Sequence, residues 1–173
     1  MSGHIKVVLG DITTLQTEAI VNAAHPSLLA GGGVCGAIHS AAGPRLEEEC
    51  QRLGGCPTGE ARITDAYDLP TKYVIHAVSP RYWDGTRNEP ELLRKCYRSI
   101  FLMAKAHKIA SIAIPAMGTG IYRYPIQQAT TIAVEEAQAA ISDDIEVVFC
   151  CFDDLTYKTY TDLLGNTLPE LGE

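Results

Sequence analysis

AIVNAAHPSLLAGGGVCGAIHSAAGP, residues 19–44, is the stretch that decides the fold. It opens on Ala19, Ile20 and Val21, an apolar run suited to a buried strand. Small and polar residues follow, then Gly31, Gly32 and Gly33. From Val34 the apolar residues recur at spacing four, through Ile38 and Ala42, which is a helical period. The order is therefore strand, glycine-rich loop, helix start. Glycines let the main chain approach a ligand closely, and the free N–H groups of a first helical turn attract anions. The guest this segment suits is a phosphate or diphosphate.

Working outward, HIKVVLG at residues 4–10 reads as a first strand stopped by Gly10, with a polar turn at Asp11, Ile12, Thr13 and Thr14. Residues 18–22 form the second strand. Pro44 opens a short helix through Leu53, and GGCPTG at 54–59 is a loop. Strands are expected at 60–66 and 73–78, with a loop carrying Tyr82 and Trp83 at 79–88. Leu92, Leu93, Cys96, Ile100, Met103 and Ala104 make a helical stripe over 89–106. A short strand at 111–114 ends at Pro115, and a second glycine loop, GTGIY, occupies 118–122. Pro125 opens a long helix to about Ile141. A last strand spans 146–152 and a last helix 154–164.

This alternation predicts one α/β domain over residues 1–165, with a C-terminal tail at 166–173. Its sheet is central, mostly parallel and covered on both faces. Ligands of such sheets sit beyond the carboxyl ends of the strands, where both glycine loops fall.

The chain has 173 residues, 46% of them apolar and 20% charged, with a formal net charge of -7. Such a balance argues against a nucleic-acid or anionic-membrane partner held by bulk charge. No apolar run is long enough to cross a bilayer, and the N-terminus does not read as a signal peptide. The six cysteines, Cys35, Cys50, Cys56, Cys96, Cys150 and Cys151, show neither paired CxxC clusters nor a small-scaffold framework. They read as reduced thiols of a cytoplasmic protein that needs no metal or cofactor. His76, in mid-strand, reads as a core histidine.

With these pieces in place the chain resembles the macrodomain family, of the MacroD type. The matching residues are GDIT at 10–13, VNAA at 21–24, GGGV and GAIH within 31–39, AAGP at 41–44, PTG at 57–59, VIHAVSP at 74–80 and GTGIYRYP at 118–125. No Walker-type lysine follows either glycine loop, which separates the chain from nucleoside triphosphatases. The resemblance implies a three-layer α/β/α sandwich with a mixed, mostly parallel sheet and a crevice for ADP-ribose or its derivatives, attached to proteins or free. It implies that Asp11 accepts from the adenine amino group, with Ile12 its main-chain partner and Phe152 stacking nearby. Gly32, Gly33 and Val34 would surround the distal ribose and diphosphate. Gly118, Thr119, Gly120 and Ile121 would hold the diphosphate, Tyr122 would lie by the distal ribose, and Asn22 would approach that ribose.

The family type pairs this frame with hydrolysis: release of ADP-ribose from proteins, or of acetyl from O-acetyl-ADP-ribose. Two positions depart from its pattern. His25 stands where the family has a second asparagine, and Cys35 where it has an aspartate; Arg123 also replaces a glycine. Three readings follow. The chain hydrolyses through a positioned water with His25 or His39 as base. It is a reader of ADP-ribose without chemistry. Or Cys35, near a helix N-terminus, acts as a nucleophile with one of those histidines. Against the last stands the plain alternative of Cys35 as a small buried residue.

Overall fold

In a computed structural model, which describes residues 4–141 and 144–167, the central strand is β2 (Ala19–Ala23), whose first four residues are buried. Alternate side chains of a strand face opposite ways. Ala19 and Val21 point into one apolar core, and Ile20 into the other. Both faces of the sheet are therefore covered.

The other strands are β1 (Ile5–Leu9), β3 (Ala61–Asp65), β4 (Tyr73–Ala77), β5 (Ser111–Pro115) and β6 (Glu146–Cys151). Their spatial order is β1-β6-β5-β2-β4-β3. All neighbours run parallel except β3, which pairs antiparallel with β4. This is the mixed, mostly parallel sheet expected. Five strands end on the same rim, so the segments that leave them converge there.

Five helices are described. On one face lie α1 (Gly33–Ala42) and α2 (Pro44–Leu53). On the other lie α3 (Glu89–Ala106), α4 (Ile126–Ala140) and α5 (Asp154–Thr167). In α1 the buried residues Cys35, Ile38, His39 and Ala42 fall at i, i+3, i+4 and i+7, one helical stripe. Gly43, at φ 91°, breaks α1 from α2, and Pro44 begins α2 where its missing N–H costs nothing. The core beneath α3 includes Leu93, Cys96, Tyr97, Ile100 and Ala104. Fully burying a side chain such as Leu93 or Ile100 contributes about 1.5–3 kcal/mol.

Differences from the sequence expectation are small. Most element ends move by a residue, and Pro115 belongs to β5, at its last position beside Cys150. The final helix continues past Leu164 to Thr167, so the start of the expected tail at 166 is helical; 168–173 lie outside the described residues. All six cysteines are free and buried. Cys150 and Cys151 enter opposite cores, as strand alternation requires.

Candidate functional site

The two glycine loops face one another across a pocket of about 700 Å³ at the rim where the strands end. Its lining includes Ala23, Ala24, His25 and Ser27 after β2, 29–35 into α1, Ser79 after β4, and Ala116 with 118–122 after β5. Of the residues singled out from sequence, His25, Gly32, Gly33, Val34, Cys35, Gly118, Thr119, Gly120, Ile121 and Tyr122 line it. Asp11, Ile12, Asn22, His39 and Phe152 do not. Leu29, Ala30, Ser27 and Ser79 are lining residues that motif reading did not single out.

The first loop delivers donors. The first intrahelical bond of α1 runs from the Gly36 N–H to the Gly32 carbonyl, at 3.1 Å. The N–H groups of Gly33, Val34 and Cys35 thus precede the helical ladder and have no partner in it. Two glycines shape this bend. Gly33 has φ 57°, and a Cβ on Gly36 would run into the Gly31 carbonyl oxygen. Gly36 is therefore a position inside the helix where a side chain would disturb the bend, legible only as the last glycine of the GGGVxG spacing.

The second loop turns on itself. The Tyr124 N–H donates to the Gly118 carbonyl at 2.8 Å, and the Arg123 N–H to the Gly120 carbonyl at 3.0 Å. The amides of Thr119, Gly120, Ile121 and Tyr122 donate to no protein acceptor among the described residues. A row of such amides forms an anion-binding concavity without any cationic side chain. Arg123 follows with φ 63°. The left-handed region costs a residue that carries a side chain about 1 kcal/mol.

Asp11 and Phe152 sit beyond the β1 and β6 end of the rim. The Asp11 Oδ1 caps the 3-10 turn Ile12–Thr14, accepting from the Thr13 N–H at 2.9 Å and its hydroxyl at 2.7 Å. Its Oδ2 has no partner among the described residues. Ile12 is buried, and its N–H opens the turn. Phe152 is 89% exposed and Ile121 88%, apolar faces turned to solvent around a polar bend.

His25 is exposed at the pocket. Its Nδ1 accepts the Ser27 N–H at 3.0 Å, so in the neutral ring the proton sits on Nε2. The free nitrogen is then a donor, not a base. Cys35 is buried to 7% exposure, its thiol reaching the Leu29 carbonyl at 3.7 Å and receiving the Asn22 amide at 3.6 Å. His39 is buried beneath the pocket. Neither of its ring nitrogens has a partner among the described residues. Burial lowers its pKa, and only Glu47 opposes that.

Asn22 also lies under the pocket, fully buried. Its amide donates to His76 Nδ1 at 3.1 Å, and His76 Nε2 meets the Thr64 hydroxyl at 3.0 Å. Burial, aided by His39, holds His76 down to about 3. His76 is the satisfied core histidine that its mid-strand place suggested. No cluster of three or more candidate metal ligands occurs among the described residues.

An α/β/α sandwich whose strand ends carry two bends of amides with no acceptor among the described residues has the geometry to receive an anion. A family model for the Macro domain matches residues 21–133, and the chain belongs to the Macro domain family. A macro domain-containing protein of Chlorobaculum tepidum is 50% identical over 164 residues, covering 93% of this chain and 95% of that protein. A protein of Enterobacter cloacae named O-acetyl-ADP-ribose deacetylase is 46% identical over 178 residues, covering 99% of each. Among solved structures, the Oceanobacillus iheyensis macrodomain with ADP superposes with TM-score 0.92 at 38% identity, over 95% of this chain and 92% of that one. A Trypanosoma brucei macrodomain in complex with ADP-ribose superposes with TM-score 0.87 at 44% identity, over 94% and 69%.

Proposed function

We propose that this chain binds ADP-ribose and hydrolyses a bond at its distal ribose, as a MacroD-type hydrolase. The substrates are ADP-ribose esters of acidic side chains and O-acetyl-ADP-ribose. The observation that carries the proposal is the facing pair of amide rows, at 33–35 and 119–122, with no acceptor for them among the described residues. Main-chain dipoles of this kind hold a diphosphate in a chain of net charge -7. The relatives bound to ADP and ADP-ribose, and the relative named as a deacetylase, support the same reading.

The sheet acts as a ruler. From β1 to β4 there are four strand spacings of about 4.8 Å, roughly 19 Å in all. With adenine at Asp11 and Phe152, the diphosphate lies over β5 and the distal ribose over β2 and β4. His25, Cys35, Ser79 and Tyr122 then surround that ribose. In this account a water held against a substrate phosphate adds to the ester carbon. The bond from that carbon to the ribose oxygen breaks, and the water's proton passes to the departing oxygen. The protein contributes position and a donor, His25 Nε2, toward developing negative charge.

A specific feature favours the second reading, a reader without chemistry. Among the described residues the pocket lining contains no carboxylate, and Cys35 stands where the resemblance implies an aspartate. Turnover decides between them. Incubation with a protein ADP-ribosylated on glutamate and with O-acetyl-ADP-ribose is expected to release ADP-ribose and acetate. Binding with no release from either would leave the reader. A calorimetric titration with no saturation by ADP-ribose would remove both. Replacing His25 by Asn and Cys35 by Asp is expected to raise turnover. Loss of turnover in Cys35→Ala alone would instead support the thiol as nucleophile.

A further inference from the structure

The loop joining β4 to α3 is built more firmly than a connector requires. Its hub is Glu89, 1% exposed. One carboxylate oxygen accepts the N–H groups of Trp83 at 2.9 Å, Asp84 at 3.1 Å and Gly85 at 3.2 Å; the other accepts that of Arg87 at 2.7 Å. Burial pushes the Glu89 pKa up, yet these main-chain donors outweigh it and hold it down to about 2. The loop is closed around a permanent internal anion.

What this hub displays is an indole in water. Trp83 is 55% exposed, with the Arg81 guanidinium 4.5 Å and the Arg87 guanidinium 5.1 Å from the ring centroid. Stacking on an aromatic face leaves a guanidinium's N–H fork free for a carboxylate. Arg81 has no ion pair among the described residues, and Arg87 meets only Asp84, at 3.9 Å. The loop is also tied to the pocket wall. The Tyr82 N–H donates to the Tyr122 carbonyl at 2.9 Å, and the Tyr82 and Tyr124 rings lie 4.8 Å apart. Exposed Arg123 follows Tyr122 directly, in a conformation that disfavours any side chain. Two joined loops thus carry Arg81, Arg87 and Arg123 at one edge of the pocket.

We infer that the Arg81–Trp83–Arg87 platform, with Arg123 beside it, docks an acidic polypeptide segment flanking the ADP-ribosylated side chain. This deepens the ADP-ribose hydrolase reading and rests on it, because the strand order places the distal ribose, where a protein would be attached, beside this loop. Charge complementarity selects the partner: a local cationic patch attracts a short acidic stretch. A net charge of -7 repels a long polyanion such as nucleic acid, and two guanidinium groups already occupy the indole surface a base would use.

The test compares three ligands by calorimetry: free ADP-ribose, an acidic peptide carrying ADP-ribose through a non-hydrolysable linkage on one side chain, and the same peptide with neutral flanks. The acidic peptide is expected to bind about tenfold tighter than free ADP-ribose, with the advantage shrinking as salt rises. In Arg81→Glu/Arg87→Glu, and in Trp83→Ala, that advantage is lost while the affinity for free ADP-ribose stays unchanged, which also reports that each variant is folded. Equal binding of the two peptides, an advantage that survives in the variants, or an ADP-ribosylated oligonucleotide binding tighter than the acidic peptide would overturn the inference. Absence of ADP-ribose binding itself would instead bring down the underlying function.

Discussion

The rim of the sheet and the layer beneath it use polar groups in opposite ways. At the rim, the amides of 33–35 and 119–122 have no acceptor among the described residues, and Phe152 and Ile121 turn apolar surface to water. Just below, His76 is held between the Asn22 amide and the Thr64 hydroxyl, while Asn22 Oδ1 and both ring nitrogens of His39 have no partner among the described residues. Unsatisfied donors cost least where a ligand or water can reach them. Satisfied ones belong where rigidity is needed. The contrast assigns binding to the rim and support to the layer, although both come from the same strands.

The sharpest way to break that division is to deform the rim. Gly36→Val places a branched side chain against the Gly31 carbonyl and disrupts the amides of the first bend. Losing two charge-assisted bonds is expected to weaken ADP-ribose binding by about 100-fold or more, read by calorimetry. An unchanged affinity would mean that this bend does not hold the ligand.

The buried layer is probed by acid. His76 is held near 3 and His39 is lowered, while an unfolded histidine titrates near 6.5. Both pKa values are depressed, so the unfolded state binds more protons below pH 6.5. Stability is full above that value and falls as the pH drops through it. For His76 alone the loss at pH 5 is about 2 kcal/mol, measurable by urea unfolding. In His76→Gln the slope between pH 6.5 and 5 should flatten; an unaltered slope would place the acid sensitivity elsewhere.

Smaller effects separate the two ends of the rim. Asp11→Asn keeps an oxygen for the Thr13 cap but loses the carboxylate proposed to accept from adenine. A loss of about tenfold in ADP-ribose affinity is expected, with less loss for the hypoxanthine analogue. Equal losses for both ligands would show that Asp11 does not read the base. His25→Ala removes one exposed donor and is expected to lower affinity or turnover by about threefold to tenfold. A complete loss of turnover with intact binding would restore His25 as the base.

Much of this was legible in the sequence because the cues were local. The order strand, glycines, helical stripe in residues 19–44 survives intact, as does the GTGIY bend. What escaped depends on contacts distant along the chain. Asn22 was expected beside the ribose, but its register opposite His76 on β4 sets it beneath the pocket. His39 shares the buried stripe of α1 with Cys35 but, unlike Cys35, does not line the pocket. Glu89 reads as an ordinary first-turn acid of a helix. Only the folded loop shows its carboxylate collecting amides from 83 to 87. Tyr97, buried in the α3 core, breaks no pattern and was overlooked beside its aliphatic neighbours.

The central claim is that main-chain amides, not cationic side chains, grip the diphosphate. A two-dimensional proton–nitrogen NMR titration with ADP-ribose, with detection of couplings from amide nitrogen to phosphorus across hydrogen bonds, tests it most directly. Large shifts, and such couplings, are expected at amides within 33–35 and 119–122. Saturation with those amides unmoved, and the shifts gathered on arginine side chains instead, would contradict it.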